Sequence, residues 1–287
     1  MQKNTQNTHI VVDYANTSSA QVLPSIFSRL NLDVVELNAH IDDSATTRTQ
    51  EQFPESMERL SAITNSLRAA LGARLDTGGE RVYFVDDRGR QVDRMRALCA
   101  VVELHLRTYG GGIVAVPVTA PSTIEQIARK HGAEVIRTRA NNFAVMTTAL
   151  RSGVTVGGDG AGSFFFPAFH PTADGIFAIT KLLEMLTLHN TSFSEVLASL
   201  PPFAMARGKV QCRWEDKGRV MRLLNDQYGN GKGISQIDGI KIELGREWSL
   251  ILPDPDNPYF HIYAEADSDD HARALVEKYT GLVNGLQ

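Results

Sequence analysis

Leu75-Asp76-Thr77-Gly78-Gly79-Glu80-Arg81-Val82-Tyr83-Phe84-Val85-Asp86-Asp87-Arg88-Gly89 reads as a polar loop carrying glycines, a short apolar strand from Val82 to Val85, and a turn at Asp87-Arg88-Gly89. Carboxylates at alternate positions, with glycines letting the backbone bend between them, are how a chain grips a hard divalent cation such as Mg²⁺ through oxygen. Asp76 and Glu80 stand at two places of such an array, and the place between them is Gly78. The pair is either a weak Mg²⁺ site or a solvated turn, and Arg81 pairs with a neighbouring carboxylate or reaches a ligand.

Upstream of this loop, His9 to Asp13 is an apolar run suited to a buried strand, Gln21 to Leu30 has helical spacing, and Val34 to Leu37 is the next strand. Such a strand-helix-strand unit belongs in a parallel or mixed sheet covered by helices. His40 to Pro54 is polar and reads as an exposed connection, and Ser56 to Leu71 reads as one helix leading into the loop. Downstream the pattern recurs without close sequence repetition. A helix spans Arg94 to Arg107, Ile113 to Val116 is a strand, Thr123 to His131 a helix, Glu134 to Ile136 a strand, and Asn142 to Ser152 a helix. Val154 to Pro167 is a glycine-rich loop running into Phe164-Phe165-Phe166, and it lacks the spacing and lysine of a P-loop. Asp174 caps a helix through Leu186. Past Pro201-Pro202 come an alternating stretch from Val210 to Trp214, a helix from Lys217 to Gln227, a hairpin at Gln236 to Glu243, two further strands and a helix from Asp269 to Leu282.

The fold class expected is α/β, with two similar three-layer α/β/α domains holding mixed sheets, followed by a smaller α+β domain with an antiparallel sheet. The expected boundaries are 1–90, 91–204 and 205–287. A chain of 287 residues is long enough for three such cores. Net charge −4 and no Lys/Arg run exclude a bulk field for nucleic acid. No apolar run reaches the roughly 18 residues of a spanning helix, and the polar Met1 to Thr8 has no signal core, so a cytoplasmic location is expected. Cys99 and Cys212 are too few for a disulfide framework. His131 and His170 have no second ligand or triad partner nearby in sequence and read as surface or structural.

The chain resembles the α-D-phosphohexomutases, the phosphoglucomutase and phosphomannomutase family, over that family's domains two to four. The first loop is similar to the family's metal loop Asp-Gly-Asp-Gly-Asp-Arg, with Asp76, Gly79 and Arg81 kept, Gly78 replacing the middle Asp and Glu80 the last. Gly157-Gly158-Asp159-Gly160-Ala161-Gly162-Ser163 resembles the sugar loop, where the family writes Gly-Glu-x-Ser-Gly-His. Asp238-Gly239-Ile240-Lys241, Trp248 and Ile262-Tyr263-Ala264-Glu265-Ala266 resemble the fourth domain. Its phosphate loop, Arg-x-Ser-Gly-Thr-Glu-Pro, corresponds to Leu252-Pro253-Asp254-Pro255-Asp256-Asn257-Pro258, which has lost the Arg and gained two carboxylates.

The resemblance implies Asp159, Ser163 and Arg81 as substrate-contacting residues, Asp76 and Glu80 as weak Mg²⁺ ligands, and no segment matching the phosphoserine domain. From the altered loops the expectation is a module without mutase activity of its own. It would be the C-terminal assembly or sugar-phosphate-sensing part of a nucleotidyltransferase of the mannose-1-phosphate guanylyltransferase type. Its partners would be an upstream nucleotidyltransferase domain, a sugar phosphate or nucleotide sugar, or a second copy in an oligomer. The alternative is an active phosphomannomutase- or phosphoglucomutase-type phosphotransferase whose serine domain comes from another chain.

Overall fold

The computed structural model describes residues 9–42, 52–229 and 231–287. The polar leader Met1 to Thr8 and the middle of the connection expected from His40 to Pro54 lie outside the described residues. Three sheets follow one another along the chain. The first is built from β1 (His9–Asp13), β2 (Asp33–Leu37), β3 (Leu71–Leu75) and β4 (Val82–Val85) in the order β2-β1-β3-β4, parallel except for β4. Helices α1 (Ser19–Arg29) and α2 (Phe53–Ser66) accompany it. Ile10, Val11 and Val12 are all buried, as a strand covered on both faces requires.

β3 corrects the reading of Ser56 to Leu71 as one helix. α2 ends at Ser66, Arg68 takes a φ of 50°, and the chain re-enters as a strand buried at every position. Leu67, Leu71 and Leu75 have helical spacing, but Leu71, Ala73 and Leu75 also alternate, and periodicity alone cannot separate the two in so short a run. Arg74, among them, is buried against the Asp13 carboxylate of β1.

The second sheet repeats the plan. After α3 (Arg94–Tyr109) come β5 (Gly112–Pro117), α4 (Thr123–Lys130), β6 (Ala133–Thr138), α5 (Asn142–Ala149), β7 (Val154–Gly158), β8 (Phe164–Phe166), β9 (His170–Ala173), α6 (Gly175–Leu188) and α7 (Phe193–Ser199). Its order is β6-β5-β7-β8-β9, with β5, β6 and β7 parallel and β8 reversed, as β4 is in the first sheet. α3 is buried from Ala97 to Leu106 without a break, and one apolar core runs through both sheets. Phe84 of β4 meets Phe164 of β8 and Phe193 of α7 with ring centroids 5.9 and 5.7 Å apart.

The third sheet is antiparallel, ordered β10-β14-β13-β12-β11, from β10 (Ala204–Gln211), β11 (Ile234–Ser235), β12 (Ile240–Leu244), β13 (Glu247–Pro253) and β14 (Tyr259–Ala266). α8 (Trp214–Tyr228) and α9 (Asp269–Gly285) cover one face. β10 begins six residues before the alternation expected from Val210, because small residues stand where apolar ones would have signalled it. A Cβ on Gly208 would lie 2.7 Å from Val276 of α9, so the helix sits directly on the strand. The fold is thus the expected α/β pair of mixed sheets with a smaller antiparallel domain. Among the described residues no helix is long and apolar enough to cross a membrane.

Candidate functional site

The loop after β3 is organised by its own first carboxylate. Asp76 Oδ1 accepts the backbone N–H groups of Glu80 (2.9 Å) and Arg81 (3.1 Å), and its carbonyl accepts that of Gly79 at 3.2 Å. A Cβ on Gly78 would stand 3.6 Å from Glu80 Cγ and 3.9 Å from Asp76 Oδ1. Asp76 and Glu80 therefore flank the place where a third carboxylate would enter. Among the described residues no group of three or more His, Cys, Asp and Glu side chains could hold a metal. Two carboxylates on a bent loop fit a loosely held Mg²⁺, which usually keeps several waters and takes one or two carboxylates plus ligand phosphate.

This loop and the one after β7 are joined. Arg81 and Ser163 form an antiparallel bridge, and Val82 N–H donates to the Gly162 carbonyl at 3.0 Å. Gly162 has a φ of 111°, and a Cβ there would lie 3.1 Å from Val82 O, so the tie needs glycine. The second loop is closed like the first: Asp159 Oδ1 accepts Ala161 N–H (2.7 Å) and Ser163 N–H (3.0 Å). Ser163 is 1% exposed, and its Oγ has no hydrogen-bond partner. Asp159 is half-buried and keeps its second oxygen for another donor. No carboxylate of the described residues pairs with the half-buried Arg81.

Asp159, Gly160 and Ala161 open on a cleft of about 590 Å³ between the second and third sheets, whose other walls are Asp93, Arg94 and Met95 at the start of α3, Thr119, Ala140, Met205 to Arg207 of β10, and Tyr263 of β14. Arg94 lies over the Tyr83 ring at 5.0 Å. Sequence reading singled out neither Arg94 nor Arg207. The signal for Arg207 was in the alternation: Ala206, Gly208 and Val210 face α9, so Met205, Arg207 and Lys209 must take the other face of β10.

The loop from Leu252 to Pro258 holds itself together around Asp254. That carboxylate accepts Asp256 N–H (2.9 Å), Asn257 Nδ2 (3.0 Å) and His261 Nε2 (2.8 Å). Burial pushes its pKa up, but these donors outweigh burial and hold it well below the usual carboxylate range. The Lys217 ammonium donates to the carbonyls of Asp254, at 2.5 Å, and Asn257.

Several residues that resemble the family's last domain turn out to clamp the second and third domains together. Glu265 accepts Ser122 N–H (2.8 Å), Ser122 Oγ (2.7 Å) and the Trp248 indole. Asp238 accepts Ala140 N–H at 2.9 Å, and Lys241 Nζ donates to Val118 O at 3.1 Å from 3.8 Å above the Trp248 ring. His131 bonds Glu103 at 3.1 Å and His170 bonds Thr172 at 2.5 Å.

Residues 1–89 match the family described as phosphoglucomutase/phosphomannomutase, alpha/beta/alpha domain II, and residues 92–203 match its alpha/beta/alpha domain III. A Methanopyrus kandleri protein named "Probable phosphoglucosamine mutase" is 32% identical over 96% of this chain and 61% of its own length. A Thermococcus kodakarensis phosphoglucomutase/phosphomannomutase is 28% identical over 93% of this chain and 59% of its own. A Burkholderia thailandensis phosphoglucomutase/phosphomannomutase family structure superposes with a TM-score of 0.83 at 20% identity, over 99% of this chain and 62% of that one. The chain thus spans about three fifths of the length of these relatives. They overturn the expectation of a degenerate, non-catalytic module and its pseudoenzyme label: the relatives matching nearly the whole chain carry mutase names. The nucleotidyltransferase setting finds no support among them. That expectation counted altered side chains one at a time, whereas the structure shows the backbone caps of Asp76 and Asp159 and the tie between their loops intact. With two successive domain matches covering most of its length and a fold shared with a solved relative, the chain belongs to the α-D-phosphohexomutase superfamily.

Proposed function

We propose that these residues form the metal-holding, sugar-contacting and C-terminal walls of a phosphohexomutase-type intramolecular phosphotransferase. A phosphoryl-donor segment from outside the 287 residues completes it. The observation carrying this reading is the bridge between Arg81 and Ser163, which ties the Asp76 loop to the loop whose Asp159 lines the cleft. Asp76 and Glu80 would hold Mg²⁺, whose charge would offset that of the transferring phosphoryl group. Arg81, with no carboxylate partner among the described residues, offers N–H donors to the same group, where charge-assisted bonds are strongest. Asp159, its first oxygen spent on the loop, uses the second to accept a sugar hydroxyl. The mutase names of the relatives favour hexose and hexosamine phosphates as the substrate class.

The test is a chimera in which the N-terminal part of the Methanopyrus kandleri relative that this chain does not span is fused ahead of residue 1. Glucosamine 6-phosphate, glucose 1-phosphate and mannose 1-phosphate are followed by ³¹P NMR with Mg²⁺. Interconversion of 1- and 6-phosphates that Arg81→Gln abolishes supports the reading. A folded chimera that converts none of them overturns it.

A further inference from the structure

Provided the cleft takes a sugar phosphate as proposed above, we infer that Arg207 of β10 anchors the phosphate that is not being transferred, and that the Leu252 to Pro258 loop is closed to anions by its own Asp254.

A phosphate needs converging N–H or O–H donors and a cation. In the loop from Leu252 to Pro258 the donors converge, but on an internal anion. Asp256 N–H, Asn257 Nδ2 and His261 Nε2 all point at the Asp254 carboxylate, and the Lys217 ammonium is engaged by two carbonyls. Pro253, Pro255 and Pro258 have no N–H to offer. An incoming phosphate would have to displace a bonded carboxylate that stays ionised at any physiological pH.

Arg207 presents the opposite situation. It is exposed on the cleft wall, and no carboxylate of the described residues lies within ion-pair distance of it. Its pairing with Tyr263 in the register of β10 and β14 places a guanidinium and a phenol side by side on the same face. Asp159, Thr119 and a second guanidinium, Arg94, line the same cleft, so hydroxyl-reading and cationic groups share one space. A cavity of about 590 Å³ is within the range of pockets that enclose small ligands. The guanidinium fork suits two phosphate oxygens at once.

Isothermal titration of the 287-residue chain with glucose 1-phosphate and glucosamine 6-phosphate, with Mg²⁺ present, separates the alternatives. Arg207→Gln is expected to weaken both about tenfold or more, the usual cost of a lost charge-assisted contact, while Arg207→Lys recovers part of the loss. Asp254→Asn is expected to leave both within about twofold. Equal binding by wild type and Arg207→Gln overturns the inference and leaves the proposed function standing. Tighter binding by Asp254→Asn with no effect at Arg207 overturns it too and returns the phosphate to the loop. No binding of either ligand by the wild type overturns this inference, and turnover by the chimera then decides the functional reading separately.

Discussion

Lys241 gives the sharpest quantitative handle on how the last domain is seated. Its side chain is 7% exposed, and its ammonium donates one hydrogen bond to Val118 O and lies over the Trp248 ring. Burial, reinforced by the nearby Arg137 guanidinium, pushes its pKa down from 10.5 to about 8 against the pull of Glu125, Glu265 and Glu243. Between those two values the unfolded chain holds a proton that the folded chain has lost, so folding becomes more favourable as pH rises through that window. Below about pH 8 both states are protonated and the folded state carries the full cost, about 3 kcal/mol for a shift of this size. Raising the pH from about 7 to about 9.5 should return about 2 kcal/mol of it.

Lys241→Met keeps the stem and abolishes the titration, so all other titrating groups cancel in the difference between the two proteins. Urea unfolding followed by tryptophan fluorescence at the two pH values measures that difference. The wild type should gain about 2 kcal/mol on the variant between them. A difference that stays flat within about 0.5 kcal/mol, or that moves against the wild type as pH rises, would refute the claim that this ammonium is buried at the cost of its charge.

Two further perturbations test the loops and the first sheet. Gly78→Asp adds a carboxylate where a Cβ has 3.6 Å of clearance and no positive φ; it should tighten Mn²⁺ binding, read by electron paramagnetic resonance, about tenfold or more, and unchanged affinity would show that Asp76 and Glu80 do not face a shared ion. Asp13→Ala strands the buried Arg74 guanidinium of β3 and should cost about 3–5 kcal/mol in chemical denaturation, whereas a loss below about 1 kcal/mol would mean that water reaches the site.

Sequence patterning disclosed elements with a single signal and hid those with two. Phe164-Phe165-Phe166 and Ile10-Val11-Val12 read most simply as buried strands and are buried, and Asp174 caps α6 as its sequence suggests, accepting Phe177 N–H at 2.8 Å. β3 was masked because its leucines continue the helical spacing of α2. β10 was masked because Ala206 and Gly208 replace large apolar residues where α9 presses close. At the site, Asp76, Glu80, Arg81 and Asp159 were legible as residue types in glycine-bearing loops, since a loop advertises the backbone bends it needs. Arg207 was not, because its importance comes from facing a second domain, and no pattern within β10 says what lies opposite.

The same distinction explains why counting side chains misjudged the loops. Asp76 and Asp159 each spend one oxygen on two backbone N–H groups, so each is first a structural cap, and the ligand role proposed above falls to the other oxygen. A loop held this way keeps its shape when neighbouring positions change, as at Gly78. The Leu252 to Pro258 loop follows the same rule with a different outcome: there the cap, Asp254, sits among the very donors an anion would use. Restoring anion affinity to that loop therefore requires removing its organising residue, which would also release Asn257, His261 and the Asp256 N–H from the geometry it imposes. Evolving a phosphate contact elsewhere in the cleft, on a strand whose backbone bonds do not depend on the side chain, costs far less structure, and Arg207 on β10 is such a position.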